Sequence, residues 1–174
     1  MLVSGLPSTL HAQTFIGEEG YVEFVSSAPL LEFTGQSNHL TGLIDLEENM
    51  VDFYVDLNTI DTGIELRNRH MRDSYLKTEQ FPFAEFTGSL ATLYDFDKGG
   101  IQEVKTSGVF SIHGVEREMD IQGTIEETSE GIQLEANWVV HLEDHDIDRP
   151  KVVFYELANE QNVAISIHLL KQED

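Results

Sequence analysis

Residues 50–57 read Met50-Val-Asp-Phe-Tyr-Val-Asp-Leu57, and this alternation decides the class of fold. Val51, Phe53, Val55 and Leu57 fall on one face and Asp52 and Asp56 on the other, the period-two pattern of a strand with one dry and one wet side. The same parity recurs in Ile132, Leu134, Ala136, Trp138, Val140 and Leu142 against Gln133, Glu135, Asn137 and His141. It recurs in Val163, Ile165, Ile167 and Leu169 against Ser166 and His168, and in Met119, Ile121 and Ile125 against Glu118, Asp120 and Gln122. Between these runs lie Glu48-Asn49, Asp95-Phe-Asp-Lys-Gly-Gly100, His113-Gly114 and Ser129-Glu-Gly131, all rich in residues that accept turn conformations. The pattern predicts about eight strands, near residues 21–27, 37–46, 50–58, 83–93, 101–112, 116–127, 132–143 and 161–170. Such spacing argues for an all-β antiparallel sandwich or barrel. An eight-stranded barrel has no exposed edges, and its interior is wide enough for one small ligand or for its own side chains. The one helical candidate, Gly63 to Leu76, lies between the third and fourth strands.

Composition narrows the function. The 174 residues are 40% apolar, enough for one domain with a single core. The longest apolar runs are a few residues, far short of the roughly 20 that a membrane-spanning helix needs, so the chain is not read as membrane-integral. Asp and Glu number 32 against 10 Lys and Arg, a formal charge of −22 that repels phosphate backbones and anionic lipid surfaces at long range and argues against nucleic acid as a partner. A salt-adapted source would account for that charge, and so would an ordinary acidic secreted protein. There is no cysteine, which removes disulfides, thiolate nucleophiles and cysteine-based metal sites. Residues 1–13, MLVSGLPSTLHAQ, contain no acid, unlike the rest of the chain. The shift marks the remnant of an export signal or a disordered N-terminus, with the barrel domain expected over 18–172.

Arg67, Arg69, Arg72 and Lys77 place four of the ten cations within eleven positions. They read either as an anion site at a cavity mouth or as ion-pair partners that hold the helix against acidic strands. His141, Asp144, His145, Asp146 and Asp148 offer metal-ligand chemistry, but the calcium-loop pattern fails and the segment reads as a solvated acidic loop, with no metal and no cofactor assigned. His70 and His113 read as structural hydrogen-bonding residues. No nucleophile elbow, zinc-protease motif, phosphate loop or dinucleotide fingerprint is present, so no catalytic residue is assigned and the chain is not read as an enzyme.

The order of motifs resembles a known family. Asn58-Thr-Ile-Asp-Thr-Gly63, Arg67-Asn-Arg-His-Met-Arg72, Tyr75-Leu76 and Phe81-Pro-Phe-Ala-Glu-Phe86 are similar to the central block of YceI-like proteins. Gly108-Val-Phe-Ser-Ile-His-Gly-Val115 looks like that family's strand and turn, and Asp144-His-Asp-Ile-Asp148 with Pro150 and the Val163 to Leu169 strand like its ending. The resemblance covers roughly residues 18–170. Phe110 and Glu116 stand where aliphatic and small polar residues are common in the family, and the missing Gly-x-Trp in the first strand separates the chain from true lipocalins. The resemblance implies a lipocalin-like eight-stranded antiparallel barrel, exported to the periplasm or secreted, whose apolar cavity binds an isoprenoid or other long-chain lipid such as a polyprenyl compound or quinone. It also implies that Arg67 and His70 face the barrel, for head-group binding or helix docking, while Arg69 and Arg72 lie nearer solvent. A homodimer is left open.

From strand parity, the candidate lumen residues are Phe53, Val55, Phe86, Phe110, Ile112, Met119, Ile121, Trp138, Val140, Ile165 and Ile167. Lining a cavity, they would hold a lipid chain through apolar burial at about 25 cal/mol per Å². The same residues would serve equally as a closed core, and periodicity does not distinguish the two. The alternative function is therefore an interaction or stress-response protein with a filled barrel and no physiological ligand, and a third reading is a barrel enzyme.

The acidic excess has a measurable consequence. Screening shortens the Debye length from about 30 Å at 0.01 M salt to about 3 Å at 1 M. The melting temperature is expected to rise across that range in sodium chloride, and a flat profile would show that self-repulsion does not limit stability.

Overall fold

The computed structural model describes residues 13–172 apart from 30, 93, 150 and 153–154. The alternating runs form β1 (Thr14–Ala28), β2 (Leu31–Asp45), β3 (Met50–Asp56), β4 (Phe83–Leu90), β5 (Ile101–Ile112), β6 (Val115–Glu127) and β7 (Gly131–His141). A two-residue hairpin, β8 (Lys151–Val152) with β9 (Tyr155–Glu156), precedes β10 (Glu160–Lys171). The eight long strands close into one antiparallel barrel in the order β1-β10-β7-β6-β5-β4-β3-β2. The ring closes where β1 pairs with β10, from Phe15 opposite Lys171 to Ser26 opposite Gln161.

The first strand begins at Thr14, earlier than alternation indicated, and the reason is local. Gly17-Glu-Glu-Gly20 interrupts the parity, and the register of β1 shifts against both neighbours there. A side chain at Gly17 would lie 2.5 Å from the His168 carbonyl, and one at Gly20 2.7 Å from Ile167. Glycine is what lets β1 approach β10 this closely. Of the acid-free segment 1–13, residues 1–12 lie outside the described residues. The Gln13 carbonyl accepts a hydrogen bond from Leu46 N–H at 3.1 Å.

One end of the barrel is plugged. Phe15, Ile44, Ile125, Ile132, Ile167 and Leu169 are each at most 2% exposed, and Phe96 from the β4–β5 loop stacks on Phe15. Tyr94 packs edge-on against Phe96 and donates its hydroxyl to the Gly100 carbonyl at 2.9 Å, holding the loop beneath the core.

At the opposite end the chain between β3 and β4 folds over the opening. Its helix, α1, spans Glu65–His70 and continues through a wider π-type turn, Met71–Leu76, until Lys77 ends it in the left-handed conformation. The single helix expected over Gly63 to Leu76 is thus two segments of different pitch, beginning at Glu65. A polar knot, not an ion pair, anchors α1. Buried Asn68 accepts from Thr62 N–H at 2.8 Å and from the Thr62 hydroxyl at 2.7 Å, and donates to Asp61 Oδ1 at 2.7 Å. Asp61 in turn exchanges two backbone hydrogen bonds of 2.9 Å with Gln36 of β2.

The wall has one thin place. β6 and β7 pair only from Gln122 opposite Asn137 to Glu127 opposite Ile132, so Val115–Ile121 and Trp138–His141 run on without each other. The short 3-10 turn Leu142–His145 spans the gap. His145, 2% exposed, donates Nδ1–H to the Val115 carbonyl at 2.9 Å, and its own carbonyl accepts from His113 Nδ1–H at 3.0 Å.

Burial is the main cause that holds the His145 imidazole below its ordinary pKa; Arg117 acts in the same direction, and the Val115 carbonyl, Asp144 and Asp146 oppose it. Above about pH 6.5 the ring is neutral in both folded and unfolded chains. As pH falls from there through the lower folded value, the unfolded chain takes the proton first and native stability is lost. Melting temperature should therefore fall more steeply in wild type than in His145→Gln between about pH 7 and about pH 5. Identical slopes would remove His145 as the cause.

Candidate functional site

Above the plug the barrel contains a cavity of about 460 Å³. That lies within the roughly 300–1,000 Å³ of pockets that hold small organic ligands. Its existence follows from where side-chain volume falls. Ile44, Ile125, Ile132, Ile167 and Leu169 fill the closed end with Phe15, whereas midway up the wall the inward positions include Ala84, Thr106, Gly123 and Ala136. Gly123 and Ala136 are direct cross-strand partners, so the two small positions coincide on one stretch of wall and leave the space in front of it unfilled.

Nine of the eleven lumen residues read from the sequence line this cavity: Phe53, Val55, Phe86, Phe110, Ile112, Ile121, Trp138, Val140 and Ile165. Phe110 meets the Trp138 ring edge-on at 6.0 Å and the His145 ring at 5.4 Å, closing the wall beside the β6–β7 gap. Two residues are placed elsewhere. Ile167 points into the plug, against Gly17 and Gly20 of β1, because that end of β10 lies below the cavity floor. Met119 is half-buried against the core but outside the lining, on the stretch of β6 that has left β7.

Parity missed several lining groups. Val22 and Phe24 of β1 and Phe33 and Leu40 of β2 lie on strands whose alternation is broken by glycines and shifted registers. Met71, Tyr75 and Leu76 close the roof from the helical segment, where a period-two search does not reach. Their spacing on that segment was the available signal.

The mouth lies at α1. Arg67 and His70 line the cavity there, and Arg69 and Arg72 do not. The Arg67 guanidinium sits 4.3 Å over the Phe33 ring of β2, a contact with an aromatic face in place of the strand carboxylates considered from the sequence. Arg72 pairs with Glu65 of its own helix at 3.4 Å. Ile64 and Leu66, 50% and 52% exposed, line the same opening from outside. Among the described residues no group of three His, Asp or Glu is placed to hold a metal ion, and no helix is long and apolar enough to cross a membrane. What the arrangement offers chemically is a dry, one-ended sleeve with a cation at its lip.

The fold has close structural relatives. A polyisoprenoid-binding domain from Saccharophagus degradans superposes with a TM-score of 0.77 at 20% identity, covering 93% of this chain and 99% of its own. BcnA of Burkholderia cenocepacia superposes at 0.71 and 13% identity, over 85% and 94% of the two chains. A Campylobacter jejuni YceI protein gives 0.62 at 15% identity, over 85% and 88%. No curated protein sequence matches the chain. The YceI-like domain model matches residues 14–170, from the first strand of the barrel to the last, and the protein belongs to the YceI-like family.

Proposed function

We propose that the protein is an exported, noncovalent carrier or sequestering protein for an isoprenoid lipid, with the chain in the barrel cavity and a polar head group at the α1 mouth. The observation that carries this reading is the closed-bottomed apolar cavity of about 460 Å³ whose lip holds Arg67 and His70. A filled barrel acting only through its surface is disfavoured by the same cavity. The polyisoprenoid-binding relative from Saccharophagus degradans supports an isoprenoid as the chain. The acid-free segment 1–13 supports export to the periplasm or beyond.

Filling the cavity tests the first half. Ala136 lines the cavity beside Gly123, and Ala136→Phe is expected to fill the space there and abolish retention of a polyprenyl lipid. The added bulk costs about 1–3 kcal/mol of stability, so the variant should remain folded. Trp138 is the single tryptophan and lines the cavity, so its fluorescence should respond to added polyprenyl lipid in delipidated wild type and stay silent in Ala136→Phe. A silent wild type would remove the lipid from this site.

The mouth is tested separately. Arg67→Ala should weaken binding of a lipid with an oxygen-rich or anionic head group, while Arg69→Ala leaves it unchanged. A greater loss in Arg69→Ala would move the head group off the Arg67 face. A fall in the melting temperature of lipid-free Arg67→Ala, with binding intact, would assign the contact over Phe33 to helix docking alone.

A further inference from the structure

We propose that the apolar lip formed by Ile64 and Leu66 touches a lipid bilayer containing anionic lipid, and that cargo passes between cavity and bilayer during that contact without crossing water. The inference rests on the lipid-binding reading above and adds where the lipid is exchanged. Ile64 and Leu66 are both half exposed and part of the cavity lining, so lip and lumen form one continuous apolar surface. Tyr54 and Phe83, 42% and 41% exposed and in edge-on contact at 5.8 Å, extend that surface at the same end of β3 and β4. Three of the eight large hydrophobic side chains exposed among the described residues, Tyr54, Ile64 and Leu66, therefore belong to the cavity lining.

Charge selects the occupant. Between residues 64 and 77 lie four of the ten Lys and Arg but only two of the 32 carboxylates, Glu65 and Asp73, while the carboxylates nearest the aromatic edge are Glu85, opposite Tyr54, and Asp56, opposite Phe83. Glu65 is engaged by Arg72, and Asp61 beside the helix by Asn68 and Gly63. Arg69 is exposed and has no ion pair among the described residues. An anionic bilayer attracts this segment and repels the strongly acidic remainder of the chain, which turns the mouth toward the membrane. Two half-exposed aliphatic side chains are too little for stable anchoring and suit a transient touch. A protein partner or second copy would gain nothing from the continuity of lip and lumen.

The full chain, delipidated and loaded with a dansyl-tagged polyprenyl lipid, is mixed with phosphatidylcholine vesicles with and without phosphatidylglycerol, and probe transfer is followed. Transfer by contact makes the rate rise in proportion to vesicle concentration. Ile64→Ser with Leu66→Ser should slow it about ten-fold, by more than any loss of equilibrium occupancy measured on the same protein. Arg69→Glu should slow it only on vesicles that contain phosphatidylglycerol. A rate independent of vesicle concentration means release into water and overturns the proposal, as does a double variant that transfers like wild type. A wild-type dimer that the double variant dissolves, with transfer unaffected, assigns the lip to a second copy and overturns it as well. Protein that never takes up the probe overturns the binding reading, and this proposal with it.

Discussion

Everything in this molecule depends on the seam where β1 pairs with β10. Without it the eight strands are an open sheet with two unpaired edges and no interior. The seam demands a close approach at Gly17 and Gly20, where His168, Ile167 and Leu169 fill the space that side chains on β1 would occupy. The register slip beside those glycines bends β1 enough to pair with β10 on one side and β2 on the other. Once the ring is closed, its inward residues have only each other, or a guest, to pack against.

Which of these they find varies along the barrel. At the plugged end Ile44, Ile125, Ile132 and Leu169 are almost wholly removed from water, and each contributes about 1.5–3 kcal/mol of apolar burial. Higher up, Gly123 beside Ala136 leaves one stretch of wall without side-chain bulk. Stability is thus concentrated at one end, and the other end is free to hold something that is not protein. The β6–β7 gap lies in this less packed half. His113 Nε2 and Trp138 Nε1, two buried ring nitrogens beside it, have no hydrogen-bond partner among the described residues. Each such group costs about 1–3 kcal/mol. The gap is therefore the part of the wall least secured by its own bonding.

The lid is held by chemistry that composition alone would not suggest. In a chain with 32 carboxylates, an arginine-rich helix invites ion pairing with the strands. Instead Asn68 ties it to Asp61, and Asp61 to Gln36. The hydrogen bond from Asn68 is the largest cause that holds the Asp61 carboxyl below its ordinary pKa. Among the described residues Arg67 pairs with no carboxylate and sits over Phe33 at the cavity lip.

The sequence by itself determined the strands, because a half-buried strand writes its two faces into alternate residues: Val51, Phe53 and Val55, and Ile132 through Leu142, point inward as their parity requires. It determined the lid's position between β3 and β4, and its motifs carried the family resemblance. It did not determine where β1 begins, since Gly17-Glu-Glu-Gly20 interrupts the alternation for reasons that lie on β10. Nor did it separate Ile167, in the plug, from Ile165 on the cavity wall. Two inward residues of one strand have the same parity and hydrophobicity, and only their height in the closed barrel decides whether they meet another side chain or open space. The cavity likewise follows from Gly123 and Ala136 falling opposite each other, and registry between strands is a property of the tertiary structure that no single strand encodes.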